Sequence, residues 1–191
     1  MKTAAFALVA FLFAITLRAD PPAAIDTFAG LPFGATQDQV RTAMNEHGAE
    51  IRPGMDSPDH QSYIGGTFNN QDVNWWHFYF KDGKLYKSVA VFTAPDGQNL
   101  AKYNDIVDMV TKKYGPPFQQ TKLDMAPDDL DGLIANGKAA LETDWRGANP
   151  GSRSISCKLI ESVFPGAIVI RLAYQDDSIV SQEAASEGND L

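Results

Sequence analysis

The side chains best suited to molecular recognition in this 191-residue sequence are aromatic, and they lie in one predicted β-hairpin. Residues 74–80 (NWWHFYF) and 85–92 (LYKSVAVF) have the composition of strands, and the Asp82-Gly83 pair between them is typical of a tight turn. Because side chains alternate between the faces of a strand, one face is predicted to carry four rings: Trp75, His77, Tyr79 and Tyr86. Trp and Tyr are enriched at recognition surfaces, so these four residues form the candidate binding site.

The other face of the hairpin is predicted to be apolar. If the turn centres on Asp82-Gly83, then Phe80 faces Leu85 and Phe78 faces Lys87. The residues predicted to share this core-packing face are Trp76, Phe78, Phe80, Leu85, Val89 and Val91. Two interpretations of the aromatic face stay open: it packs against another part of the chain, as aromatic residues at strand spacing commonly do, or it is exposed and binds a partner.

The histidines and carboxylates do not form a pattern typical of a metal or catalytic site. His47, His60 and His77 lack the spacing of a zinc site, and a solvated polar loop explains the grouping of Asp56, Asp59 and His60. The sequence also lacks a nucleophile elbow, a glycine-rich phosphate loop and a neighbouring Cys–His pair. It therefore predicts no metal and no cofactor, and it favours binding over catalysis.

Charge and cysteine content narrow the class of protein. A formal net charge of −8 and a pI near 4.7 argue against a nucleic-acid partner, because phosphate binding needs clustered Lys and Arg. The single cysteine excludes an intramolecular disulfide. Strand alternation in residues 154–163 puts Cys157 on one face with Ile155 and Leu159, which predicts a buried, structural thiol.

The N-terminus has the features of a secretory signal peptide. Lys2 is followed by an uncharged apolar run of fourteen residues (AAFALVAFLFAITL), which is shorter than the roughly 20 residues of a membrane-spanning helix. Leu17 and Ala19 occupy the −3 and −1 positions of a cleavage site, although an uncleaved anchor stays open because Arg18 lies between them. The sequence predicts export to the periplasm or the medium, with no membrane span in the mature chain. The only cysteine is far from this segment, so a lipoprotein is excluded.

Two helices are predicted to flank the aromatic hairpin. Thr36 and Gln39 have the spacing of a capping box at the start of a helix over 37–47. Apolar residues spaced by three and four predict a second helix over 99–114, and a further short helical turn is predicted to begin at Pro127.

Strands are predicted to follow each of the two helices. Besides the hairpin, they span residues 62–68, 140–145, 154–163 and 167–174. A helix followed by three strands thus occurs twice, over 33–92 and 99–174, either by duplication or through ordinary α+β packing. The predicted class is α+β, with two tandem halves, each a helix plus a three-stranded antiparallel sheet, forming one compact unit.

Short motifs carry a resemblance to a known superfamily. Gly34-Ala35-Thr36, then Gln39-Val40, then a helix ending at Gly48 is similar to the opening of the small outer-membrane-assembly lipoproteins. The twofold plan resembles the β-lactamase inhibitory protein family of secreted bacterial proteins, and Tyr114-Gly115-Pro116-Pro117 resembles the helix-ending turn of the same superfamily. Because this chain has neither the lipid-bearing cysteine nor the disulfides, the resemblance implies a fold and no specific function.

These observations predict an exported, non-catalytic binding module. Its expected partner is a protein in the cell envelope or outside the cell, and the alternatives are a carrier of a small apolar ligand and an enzyme with an unrecognised site. The predicted organisation is a signal peptide (1–19), a leader (20–32), an α+β domain (33–174) and an acidic disordered tail (175–191).

Overall fold

A computed structural model describes residues 24–121, 127–147 and 153–179 of the chain. The predicted signal peptide and the end of the predicted tail lie outside the described residues. The three principal helices are α1 (Gln37–Glu46), α2 (Asn99–Tyr114) and α3 (Pro127–Ala135). The strands are β1 (Thr27–Phe28), β2 (Leu31–Pro32), β3 (Ala49–Ile51), β4 (His60–Gly65), β5 (Thr67–Phe68), β6 (Gln71–Asp72), β7 (Trp75–Lys81), β8 (Lys84–Phe92), β9 (Gln119–Gln120), β10 (Leu141–Arg146), β11 (Ser154–Glu161) and β12 (Ile168–Gln175).

One large antiparallel sheet dominates the structure. Its eight strands run in the order β3-β4-β7-β8-β12-β11-β10-β9, and the pairs β1-β2 and β5-β6 form two small separate ribbons. Strands β8 and β12 pair from Phe92 opposite Ile170 to Lys87 opposite Gln175. This long pairing joins the N-terminal four strands to the C-terminal four.

The predicted fold class is therefore wrong. The protein is mostly β, and its strands form a single eight-stranded sheet in place of two helix-plus-three-strand halves. Strands β8 and β12 would each have been the edge of a half, with a row of unpaired backbone groups. Antiparallel pairing between them satisfies both rows at once, which removes two exposed edges from the fold.

The helices form where the local sequence predicts them. Thr36 Oγ1 accepts a hydrogen bond from the Gln39 backbone at 3.4 Å, and Gln39 Oε1 accepts one from the Thr36 backbone at 2.8 Å, which confirms the capping box of α1. Helix α2 has the predicted limits, and α3 begins at Pro127 as expected. Among the described residues, no helix combines the length and hydropathy needed to cross a membrane.

All three helices pack on one face of the large sheet or its edge, and the main core lies beneath them. Helices α2 and α3 contact β11 and β12, while α1 contacts β2 and β3. Cys157 is fully buried in this core, as predicted, and burial raises the pKa of its thiol. The largest side chains in the core are Trp76, Trp145, Tyr63, Tyr174, Phe28 and Phe78.

Both ends of the described chain contribute to the folded unit. Ile25, Phe28 and Leu31, within the segment predicted as a leader, are buried, and the Phe28 ring lies 4.7 Å from that of Tyr174. At the other end Gln175 completes β12, and the Asp176 backbone N–H donates to the carbonyl of Tyr86 at 2.8 Å. The folded unit therefore includes residues on both sides of the predicted 33–174 domain.

Candidate functional site

The turn of the aromatic hairpin forms as predicted, but the register changes immediately beyond it. Asp82 and Gly83 have φ values of 51° and 70°, as a type I′ turn requires, and Phe80 faces Leu85. A bulge between Tyr79 and Phe80 then shifts the pairing by one residue. Phe78 consequently faces Ser88, so the predicted pairing of Phe78 with Lys87 is wrong.

The bulge transfers two valines to the opposite face of the sheet. Val89 lies opposite His77 and Val91 lies opposite Trp75, so the prediction that both valines share the core face with Phe78 is wrong. We call the side of the sheet that the helices leave uncovered the outer face. On it, Val89, Val91 and Val169 form a second, small apolar cluster, packed against Trp75, Tyr79, Ile160 and Ala173.

A groove of about 460 Å³ lies on the outer face across β7, β8 and β12. We call it the outer groove. Its floor is formed by Trp75, His77, Tyr79, Val91 and Val169, and its rim includes Arg52, Arg171 and Phe164.

The structure brings together three of the four predicted site residues. Trp75, His77 and Tyr79 are half-buried side chains that line the outer groove. Tyr86 lies beside the hairpin turn, at the bulge in β8, and is not among the residues that line the groove.

A pair of histidines stands beside the groove floor. His60 lies opposite Tyr79 in the β4-β7 pairing. Its Nε2 atom is 3.2 Å from Nδ1 of His77, and the two rings are stacked with their centroids 5.4 Å apart. A single N–H···N hydrogen bond joins the two rings, so one ring donates and the other accepts. The sequence places His60 in a solvated loop, and only the strand pairing reveals its position beside His77.

Burial disfavours the protonated form of both histidines. Burial lowers the pKa of His60. Burial, with smaller contributions from His60, Arg171 and Arg52, lowers the pKa of His77 to about 4. A base this weak is poorly matched to proton transfer at neutral pH.

The lowered pKa of His77 predicts acid sensitivity. Between about pH 6.5 and pH 4 the unfolded chain binds a proton at His77 that the folded chain does not, so stability falls as the pH falls through this window. After a discount for partial exposure, we expect a loss of about 1 to 2 kcal/mol that the His77→Gln variant does not show. Urea denaturation of both proteins at pH 7 and pH 4 measures this difference. An NMR titration with a His77 midpoint at its ordinary value would contradict it.

The charges on the groove are mainly positive. Arg52 and Arg171 are exposed on its rim, and among the described residues neither has a carboxylate oxygen within 4.0 Å. Glu161 also lines the groove, and its Oε1 accepts a hydrogen bond from the Gly166 backbone at 3.4 Å. In the described ranges no three His, Cys, Asp or Glu side chains are grouped so that they could hold a metal ion.

Three of the groove residues had no local signal in the sequence. Arg52, Phe164 and Arg171 come from the end of β3, the β11-β12 turn and the middle of β12, and only the strand order places them around the hairpin. Comparisons with protein-family models, curated proteins and solved structures gave no match. The superfamily resemblance therefore stays a prediction.

Proposed function

We propose that this chain is an exported, non-catalytic binding protein that recognises a protein partner through the outer groove. The observation that carries this proposal is the outer face: within the described parts of the chain, α1, α2 and α3 pack on the other side of the sheet or at its edge, and the outer face exposes a groove floored by half-buried rings. Export is supported by the apolar segment that follows Lys2.

Apolar side chains on the groove rim support a protein as the partner. Val163 is 92% exposed and Phe164 is 63% exposed, both in the β11-β12 turn, and Met55 is 40% exposed across the groove. Large apolar side chains grouped beside an aromatic floor are typical of interaction surfaces.

The alternatives receive less support from the same geometry. A carrier of a small apolar ligand needs an enclosed cavity, whereas the outer groove lies open on the sheet surface. An enzyme needs a titratable group poised for proton transfer, and His77, with a pKa of about 4, is not such a group at neutral pH.

Two phenylalanines provide a matched test of the groove. Phe164 is 63% exposed on the groove rim, and Phe118 is 62% exposed beside Arg146, near the opposite edge of the sheet. We expect Phe164→Ser to weaken capture of a specific envelope protein more than tenfold, because an aromatic anchor contributes about 2 kcal/mol or more to an interface. Phe118→Ser should capture it like the parent protein.

The measurement is quantitative mass spectrometry of proteins captured from an envelope extract, with the chain lacking residues 1–19 as bait. Both substitutions replace exposed rings, so both variants should keep the melting temperature of the parent. Identical captured proteins for all three baits would contradict recognition through the groove. Co-purification of a small molecule that Phe164→Ser loses, with no protein lost, would favour the carrier.

A further inference from the structure

We infer that the outer groove binds a peptide segment in which an apolar side chain is flanked on both sides by carboxylate side chains. This inference rests on the proposed function and adds the chemistry of the partner. It depends on how the sheet distributes two arginines around the aromatic floor.

The two arginines stand on opposite sides of the groove. Arg52 continues β3, and its backbone N–H donates to the carbonyl of Ser62 at 2.8 Å; Ser62 in turn lies opposite His77. Arg171 lies on β12 opposite Val91, which faces Trp75. Four strand spacings of about 4.8 Å separate the two backbones, or roughly 19 Å, and long side chains from both sides reduce that span.

The floor between these arginines accepts an apolar group. Trp75 and Val91 are cross-strand neighbours there, and Val169 lies close by in the same apolar cluster. A group that enters the floor displaces water from aromatic and aliphatic surface, which favours an apolar side chain such as Phe or Leu. The half-buried His77 stays neutral at physiological pH and adds no charge to this floor.

The two arginines favour negatively charged side chains on either side of the bound apolar group. Arg52 and Arg171 make the groove locally positive, although the chain as a whole has a net charge of −8. Among the described residues, neither arginine forms a salt bridge with a carboxylate. Guanidinium groups bind carboxylates with paired hydrogen bonds, so each arginine is suited to one acidic side chain. A segment with an acidic, an apolar and an acidic residue carries one group suited to each arginine and one suited to the floor.

The charge near the groove is not uniformly positive, and this constrains the position of the ligand. Glu161 lines one end of the groove, and Asp56 lies close enough to His60 to affect its titration. Acidic side chains of a bound segment are therefore expected beside Arg52 and Arg171 and away from the Glu161 end.

Short peptides with blocked termini test the inference, and the protein used is the chain without residues 1–19. The probe is Ser-Glu-Phe-Glu-Ser, acetylated and amidated so that only side chains carry charge, and binding is measured by isothermal titration and by NMR shifts at Trp75. We expect Ser-Gln-Phe-Gln-Ser and Ser-Glu-Ala-Glu-Ser to bind at least about fivefold more weakly. Added salt should weaken binding of the Glu-containing peptide and leave binding of the Gln-containing peptide unchanged. A Ser-Gln-Phe peptide with a free C-terminus identifies a terminal carboxylate as the alternative source of charge.

Arginine variants supply the matched controls. Arg52→Gln and Arg171→Gln should each weaken the acidic peptide about three- to tenfold, whereas Arg146→Gln, also an exposed arginine but stacked on Phe118 near the opposite edge of the sheet, should have no effect. The Arg171→Glu variant should instead bind a Ser-Gln-Phe-Lys-Ser peptide more tightly than the acidic peptide. Such a change of preference would show an effect of charge and not a loss of folding.

Three outcomes would overturn the inference: equal binding of the Gln and Glu peptides, no binding of any peptide, or a preference for the free C-terminus. These results are separable from a failure of the proposed function. If capture of an envelope protein depends on Phe164 but not on Arg52 or Arg171, the groove is the recognition surface and its partner is not acidic. If Phe164→Ser leaves capture unchanged, the groove itself is not the recognition surface.

Discussion

Replacement of Phe78 with Ala should lower the free energy of unfolding by about 3 to 5 kcal/mol. Phe78 is 0% exposed in the middle of β7, and its ring centroid lies 5.8 Å from that of Tyr63 and 6.3 Å from those of Phe28 and Trp76. Truncation leaves a cavity among these rings, and large aromatic neighbours on a sheet cannot collapse to fill it. Urea denaturation, with the slope of the transition compared between variant and parent, measures the loss.

The same strand provides the control. Tyr79 is the next residue, half-buried on the outer face, with Lys87 Nζ 5.5 Å from its ring centroid. We expect Tyr79→Ser to cost about 1 kcal/mol or less, because its ring borders an open groove. If Tyr79→Ser were as destabilising as Phe78→Ala, β7 would be buried on both faces. The packing interpretation of the aromatic face would then replace the binding one.

The faces of β7 were predictable, whereas those of β8 were not. Strict alternation in Trp75–Lys81 assigns Trp76 and Phe78 to the core and Trp75, His77 and Tyr79 to the other side, as the structure shows. In β8 the same rule fails after Leu85, because a single extra residue at the bulge inverts the face of every residue that follows. Nothing in the composition of Lys84–Phe92 marks the bulge.

The fold class was missed because alternation defines faces and not neighbours. The residues of β8 and β12 predict two strands correctly, but the pairing of Phe92 with Ile170 joins positions far apart in sequence. The short strands β3 and β9 have too few residues for a periodic signal. They are strands because they pair with β4 and β10 at the two edges of the sheet.

The candidate site likewise contains residues that local alternation predicts and residues that only the strand order brings there. The local pattern located Trp75, His77 and Tyr79, and it also included Tyr86, which lies at the bulge and outside the groove. Arg52 and Arg171, the residues that give the groove its charge, reach it through the strand order. The aromatic part of the site is thus a property of one hairpin, while its electrostatic part is a property of the whole sheet.

The segment that ends β4 gives the second large expected effect, at Gly66. Gly66 has φ of +78°, and a Cβ built on it would lie 2.6 Å from the His47 carbonyl oxygen and 3.0 Å from the Ala49 backbone nitrogen. Both are backbone atoms, one in the connection between α1 and β3 and the other in the first residue of β3, so neither moves without shifting the backbone there. Left-handed backbone strain and this overlap together predict that Gly66→Ala costs about 3 to 5 kcal/mol.

Its neighbour Gly65 separates the two causes of that loss. Gly65 has nearly the same φ, +73°, but a Cβ there would meet nothing within 4 Å, so Gly65→Ala should cost only the backbone strain of about 1 to 2 kcal/mol. Thermal and urea unfolding of the two variants measure the difference. Equal losses would mean that the α1–β3 connection yields to the added methyl group. A larger loss at Gly66 would show that close backbone contact, which sequence alone presents only as two adjacent glycines, fixes where β4 ends.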